Sequence, residues 1–167
     1  MKAAIRSALI AATLGACHGS SPAVAPAPDG SNADGAPVIT LERTPCFGAC
    51  PVYRVTISLS GLVRYEGKRF VADSGLDSAR ISSDSVAGLL SELQKGGYFE
   101  LDERYVSGAP TCGPYATDLP TAITSVDDGS RSKRVQHDHG CTEAPHELVG
   151  MEKRIDQVAG TGRWTGH

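Results

Sequence analysis

Val52-Tyr53-Arg54-Val55-Thr56-Ile57-Ser58-Leu59-Ser60-Gly61-Leu62-Val63-Arg64-Tyr65-Glu66 is the stretch that decides the fold. In an extended chain Tyr53, Val55, Ile57 and Leu59 fall on one face, and Arg54, Thr56 and Ser58 on the other. That alternation is the mark of a half-buried strand. A two-residue loop at Ser60-Gly61 would set Ile57 opposite Arg64 and mix the faces. A three-residue loop, Leu59-Ser60-Gly61, sets Ile57 opposite Val63 and Val55 opposite Tyr65, and it puts Gly61 where a left-handed conformation is needed. The three-residue loop is therefore the expected register. Phe70 to Ala72 reads as a short third strand.

C-terminal to this hairpin, Ser82 or Ser83 can cap a helix whose apolar stripe is Val86, Leu89, Leu90 and Leu93, ended by Gly96-Gly97. Val106 to Tyr115 is rich in Gly and Pro and reads as an irregular loop. Thr121 to Val126 and Lys133 to His137 form a second hairpin around Asp127-Asp128-Gly129. With Val126 opposite Ser130, that ladder extends to bring Cys141 level with Tyr115. A last helix has Pro145 in its first turn, Glu143 and Glu147 near its positive end, and a stripe of Leu148, Met151, Ile155 and Val158. Gly150 lies inside it, Gly160 ends it, and Trp164 is expected to cap the core. The order hairpin, helix, hairpin, helix predicts an α+β fold: a small antiparallel sheet of two β-hairpins with two helices packed on it.

N-terminal to the domain stand Lys2 and Arg6, then the apolar run Ala8-Leu9-Ile10-Ala11-Ala12, then Leu14-Gly15-Ala16-Cys17. A basic start, a short apolar core and small residues before a cut make a secretory signal. The run is far below the roughly 20 residues that span a bilayer. Leu14 to Cys17 resembles the bacterial lipobox, in which the chain is cut before the cysteine and the cysteine is lipidated. Residues 18–37 hold Ser20, Ser21, Pro22, Pro26, Pro28, Gly30, Ser31, Gly35 and Pro37, with Val24 the only sizeable apolar side chain. Such a segment reads as a disordered tether. The expected organisation is a signal peptide at 1–16, a lipidated Cys17 with its tether through 37, and a single α+β domain at 38–167. His18 rather than Asp after the cysteine points, in the proteobacterial sorting pattern, to the outer membrane facing the periplasm.

The net charge is −3, and no basic patch stands out, which argues against nucleic acid as a partner. The five cysteines are Cys17, Cys46, Cys50, Cys112 and Cys141. If Cys17 carries lipid, the remaining four make two disulfides in an oxidising compartment, with three possible connectivities. Cys112 with Cys141 would leave Cys46 with Cys50; a Cys50–Cys141 bridge is the main competitor.

Cys46-x-x-x-Cys50-Pro51 also resembles the copper motif of Sco-type assembly proteins, which add a distant histidine. Two thiolates with an imidazole suit Cu(I), and His137, His139 or His146 is available for that role. That family sets its cysteines on a thioredoxin-like scaffold, whereas here Pro51 leads directly into a strand. Thiol–disulfide exchange needs a lowered thiol pKa, usually from a helix start or a nearby cation, and no helix begins at Cys50. His137 and His139 share one face of a strand and can pair on a metal such as zinc. Asp118, before Leu119-Pro120-Thr121, reads as a turn-fixing residue. No Gly-x-Ser-x-Gly elbow, phosphate loop or His-Glu-x-x-His helix is present.

Five motifs stand in order through the domain: Thr44-Pro45-Cys46-Phe47-Gly48-Ala49-Cys50-Pro51-Val52-Tyr53, a turn at Gly61 followed by Val63-x-Tyr65-x-Gly67, Thr117-Asp118-Leu119-Pro120-Thr121, His137-x-x-Gly140-Cys141, and Glu152-x-x-Ile155-Asp156 before Gly160-Thr161 and Trp164. Together they resemble a bacterial envelope domain family of unknown function, often found behind a lipoprotein signal. The resemblance implies an envelope location and a domain boundary near Val38. It transfers no activity, no cofactor and no catalytic residue. The expected protein is a cell-envelope lipoprotein, non-enzymatic, acting as a disulfide-stabilised binding or structural module. Its expected partners are the membrane through the lipid and an envelope protein or small ligand. The alternative expectations are metal handling (Cu or Zn) or thiol-redox chemistry at Cys46 and Cys50, and, as a third class, an enzyme of unfamiliar type.

Overall fold

Val38-Ile39-Thr40-Leu41-Glu42-Arg43 alternates apolar and polar side chains just beyond the Pro-rich segment, and it forms the middle of the sheet. The computed structural model describes residues 37–166. The expected signal peptide, Cys17 and nearly all of the tether lie outside the described residues; Pro37 opens the first strand, β1 (Pro37–Arg43).

β2 (Val52–Ser58) and β3 (Leu62–Arg69) are the first hairpin, β6 (Thr121–Asp127) and β7 (Ser132–Asp138) the second. β1 pairs antiparallel with β2 on one side and with β6 on the other, so it welds the two hairpins into one sheet. β4 (Gly75–Arg80) extends one edge, and β5 (Arg104–Tyr105) runs parallel to β7 at the other. The result is a seven-stranded mixed sheet in the order β4-β3-β2-β1-β6-β7-β5.

This corrects the expectation of a small antiparallel sheet of two hairpins. Three strands were not anticipated, each for its own physical reason. β1 carries a readable period of two but borders a segment whose composition reads as tether. β4, Gly75-Leu76-Asp77-Ser78-Ala79-Arg80, is an exposed edge held by backbone pairing to β3, so it has no buried face to announce it. β5 is only two residues long. Phe70 to Ala72 is not a strand; it is the bend joining β3 to β4, with Phe70 at φ 54°.

The first hairpin has the expected register, Ile57 opposite Val63 and Val55 opposite Tyr65. Gly61 sits at φ 81°, and a Cβ there would run into the Ile81 carbonyl. In the second hairpin Val126 faces Lys133, not Ser130. The carboxylates of Asp127 and Asp128 accept from the amides of Gly129, Ser130 and Arg131, and they stabilise a longer loop than expected. Tyr115 nonetheless bridges Cys141, because the connection at 116–120 absorbs the difference.

Helices cover one face of the sheet. α1 (Ser83–Lys95) starts at Ser82, whose hydroxyl accepts from the Ser85 amide, and buries Val86, Leu89 and Leu93. α2 (His146–Ala159) buries Leu148, Met151, Ile155 and Ala159, and ends at Gly160 in the left-handed conformation. A short helix, α3 (Gly162–Thr165), presents Trp164, whose ring stacks on Tyr65 at 4.7 Å and whose indole N–H donates to Asp77. Beneath the helices Ile39, Leu41, Val55, Ile57, Val63, Val126 and Val135 are buried. The opposite face carries Thr40, Glu42, Arg54, Ser125 and Arg134 around a shallow depression. Among the described residues no helix is long and apolar enough to cross a membrane.

Candidate functional site: a polar row under the second helix

Cross-strand pairing places Tyr53 opposite Arg43, Arg43 opposite Ala122, and Ala122 opposite His137. Directly opposed residues share a face. These four therefore form one row across β2, β1, β6 and β7, on the helix-covered side and next to the apolar row of Val55, Leu41 and Val135. Each polar member continues an apolar stripe: Arg43 follows Ile39 and Leu41, and Tyr53 precedes Val55 and Ile57. Ala122 is the small member of the row. α2 lies over it and contributes Glu152 and Asp156, one turn apart and so on one side of the helix.

Asp156 is the hub of one half. Arg43 donates to its Oδ2 through Nε at 2.9 Å and Nη2 at 2.7 Å, and the Tyr53 hydroxyl donates to its Oδ1 at 2.6 Å. The Thr161 hydroxyl donates to the same Oδ1 at 3.0 Å. Glu152 is the hub of the other half. His137 Nδ1 stands 2.7 Å from its Oε1 and His139 Nε2 stands 2.8 Å from its Oε2. Arg43 Nη1 is 3.8 Å from Glu152 Oε2, which joins the two halves electrostatically.

Burial sets the electrostatics. Burial pushes the Glu152 carboxyl up, but hydrogen bonds from His137 and His139 outweigh it and hold the group below its ordinary value. Burial disfavours the Arg43 charge, and the facing Asp156 more than restores it. Burial, then the Asp156 carboxylate, push the Tyr53 hydroxyl well above its ordinary value, so it stays protonated as a donor. Nearby, burial raises the Tyr98 hydroxyl to about 12 while it donates to Thr124.

The Asp156 half opens on a cleft of about 370 Å³ lined by Arg43, Tyr53, Lys153, Asp156 and Thr161. A larger open depression, about 930 Å³, is lined by residues of the 102–111 loop and by Lys133, and it shares none of these side chains.

The structure joins Cys46 to Cys50 and Cys112 to Cys141, with Cα atoms 5.8 and 4.4 Å apart. The second bridge is buried and pins the turn that carries His139. In that turn the Asp138 side chain accepts from the Gly140 amide and the Tyr115 hydroxyl. A Cβ at Gly140 would run into the Ala116 carbonyl, so only glycine fits that approach. The turn brings His139 onto the side of His137, with ring centroids 4.7 Å apart. The donor atoms of His137, His139 and Glu152 lie within 4.8 Å of one another, and this is the one such trio found among the described residues. It contains neither Cys46 nor Cys50; the histidines meet a glutamate instead of the cysteine pair considered from sequence. His146 is exposed at the start of α2. Asp118 sits at φ 73°, accepts from the Thr117 hydroxyl, and takes the Phe47 amide on its carbonyl, as a turn residue does.

Residues 37–159 match the family described as domain of unknown function DUF6438. The chain belongs to this family. A comparison with curated proteins gives no match. Within this DUF6438 domain, Tyr53, His137, Glu152 and Asp156, each drawn from one of the sequence motifs, converge on a single network. Sequence reading had picked out only the histidines of that network as candidates. Glu152 did carry a signal: it stands between Leu148 and Ile155 on the apolar stripe of α2, where a charge needs a partner.

Proposed function

We propose that this DUF6438 protein is a lipid-anchored protein of the bacterial cell envelope, and that its domain is a non-enzymatic binding module held off the membrane by the segment that follows Cys17. The observation that carries the reading is the cysteine pairing. All four cysteines of the domain are bridged, and the fifth is Cys17, which stands at the end of the lipobox-like Leu14-Gly15-Ala16. Paired cysteines fit an oxidising compartment outside the cytoplasm. Two or three acyl chains on Cys17 would give durable anchoring.

The binding role is supported by how the polar row is wired. Tyr53 is held protonated and Arg43 is committed to Asp156, so neither is poised as a base or nucleophile. Lys153 and Arg43 border an open cleft suited to a polar or acidic contact. Membrane fractionation of the full chain against Cys17→Ala tests the anchor. The native protein is expected in the membrane fraction and the variant in the soluble one. A variant that stays with the membrane would overturn the reading.

A further inference from the structure

We propose that His137, His139 and Glu152 form a binding site for a divalent transition-metal ion, with Zn²⁺ the ion that the donor set fits best. The proposal goes beyond the anchoring reading and holds whether or not Cys17 is lipidated.

Two imidazoles and one carboxylate are a set that zinc accepts in three-ligand sites, leaving a fourth position for water or a bound group. The three donor atoms already lie within 4.8 Å of one another. Around an ion with bonds of about 2.0–2.1 Å in tetrahedral geometry, neighbouring ligand atoms stand roughly 3.3–3.5 Å apart. The imidazole–carboxylate separations of 2.7 and 2.8 Å, made to different oxygens of Glu152, would have to open by about 0.5–0.8 Å, and any wider separation within the 4.8 Å trio would have to close, to reach that geometry. To coordinate, each ring nitrogen that faces Glu152 must present its lone pair to the ion, so both imidazoles bind as the neutral ring.

Charge and access agree with this. Arg43 points its Nε and Nη2 at Asp156 and leaves its Nη1 3.8 Å from Glu152, beyond hydrogen-bonding distance. Asp156 takes the Arg43 hydrogen bonds to carboxylate, so Arg43 meets Glu152 only as a 3.8 Å ion pair and leaves the Glu152 oxygens to the two imidazoles. The Glu152 and His137 side chains are only 1% and 4% exposed, whereas His139 is 24% exposed. Solvent therefore reaches the trio from the His139 side. The Asp138 turn and the Cys112–Cys141 bridge position His139, and the Tyr105 and His137 rings meet edge-to-face with centroids 6.2 Å apart.

The test uses the full chain in detergent, stripped with chelator, titrated with Zn²⁺ by calorimetry and with Co²⁺ by absorbance. The expected result is one ion per chain and a Co²⁺ spectrum without a sulfur charge-transfer band. Glu152→Gln and His139→Ala are each expected to weaken Zn²⁺ binding by more than the roughly 10–100-fold typical of losing an outer-shell partner. His146→Ala should leave it unchanged. His139 is partly exposed, so His139→Ala carries the test even if Glu152→Gln misfolds. Absence of saturable one-to-one binding, undiminished binding in His139→Ala, or a thiolate band in the Co²⁺ spectrum would overturn the proposal.

Discussion

Removing the Cys112–Cys141 bridge should destabilise the domain more than removing Cys46–Cys50, and the structure sets the size of the gap. The first bridge closes a sequence separation of 29 and the second a separation of 4. On the chain-entropy relation these correspond to about 3.5 and about 2 kcal/mol at 25 °C. Burial widens the difference. Cys112 and Cys141 are 1% and 5% exposed within the core, so alanine there also leaves small voids, whereas Cys46 and Cys50 are only half-buried. In a domain of this size 1 kcal/mol moves Tm by about 3–5 °C. The Cys112→Ala/Cys141→Ala double variant should therefore lose about 10–18 °C, and Cys46→Ala/Cys50→Ala about 6–10 °C. Urea unfolding of each variant, followed by far-UV circular dichroism and by fluorescence of Trp164, the single tryptophan, gives both free energies. If the short-loop pair costs as much as the long-loop pair, loop closure and burial are not what the bridges contribute, and the reasoning fails.

Gly61→Ala places a side chain at φ 81° against the Ile81 carbonyl, and should lower stability by about 1–3 kcal/mol in urea unfolding, whereas Gly150→Ala, in open space on α2, should not lower it. Asp156→Ala strands the Arg43 charge and the Tyr53 hydroxyl; a buried pair broken this way costs about 3–5 kcal/mol, and partial exposure brings the expected loss to about 2–3 kcal/mol by chemical denaturation. Asp128 is held well below the ordinary carboxylate range by hydrogen bonds from the Ser130 side chain and amide. Its contribution is therefore present above the unfolded carboxylate pKa and lost as pH falls through the folded one, so Asp128→Ala should destabilise at neutral pH and converge with the native protein in strong acid when melts are compared across pH.

How much of this was legible depended on whether a segment buries one face. The hairpin at 52–66, both long helices and their caps have an apolar stripe in register with their period, and the structure follows them closely. β4 is exposed except at the partly buried Ala79, so its sequence carries no such period. β1 has the period but follows a Pro-rich segment, and without it the two hairpins read as separate units rather than as flanks of one sheet. The site was half legible. His137 and His139 could be placed on one side of a strand, but Glu152 arrives from a helix 13 residues beyond His139, and only the packing of α2 on the sheet brings them together. A charged residue within an apolar stripe, as at Arg43 and Glu152, was the readable sign of a buried polar network.

The most direct test of the proposal that this is a lipid-anchored, disulfide-braced envelope protein is the intact mass of the full chain extracted from the membranes of an expressing bacterium after thiol alkylation. The expected species begins at Cys17, carries the added mass of acyl chains, and takes up no alkylating agent at Cys46, Cys50, Cys112 or Cys141. An uncut chain, a cut elsewhere without lipid, or alkylation of Cys46 and Cys50 would contradict the account.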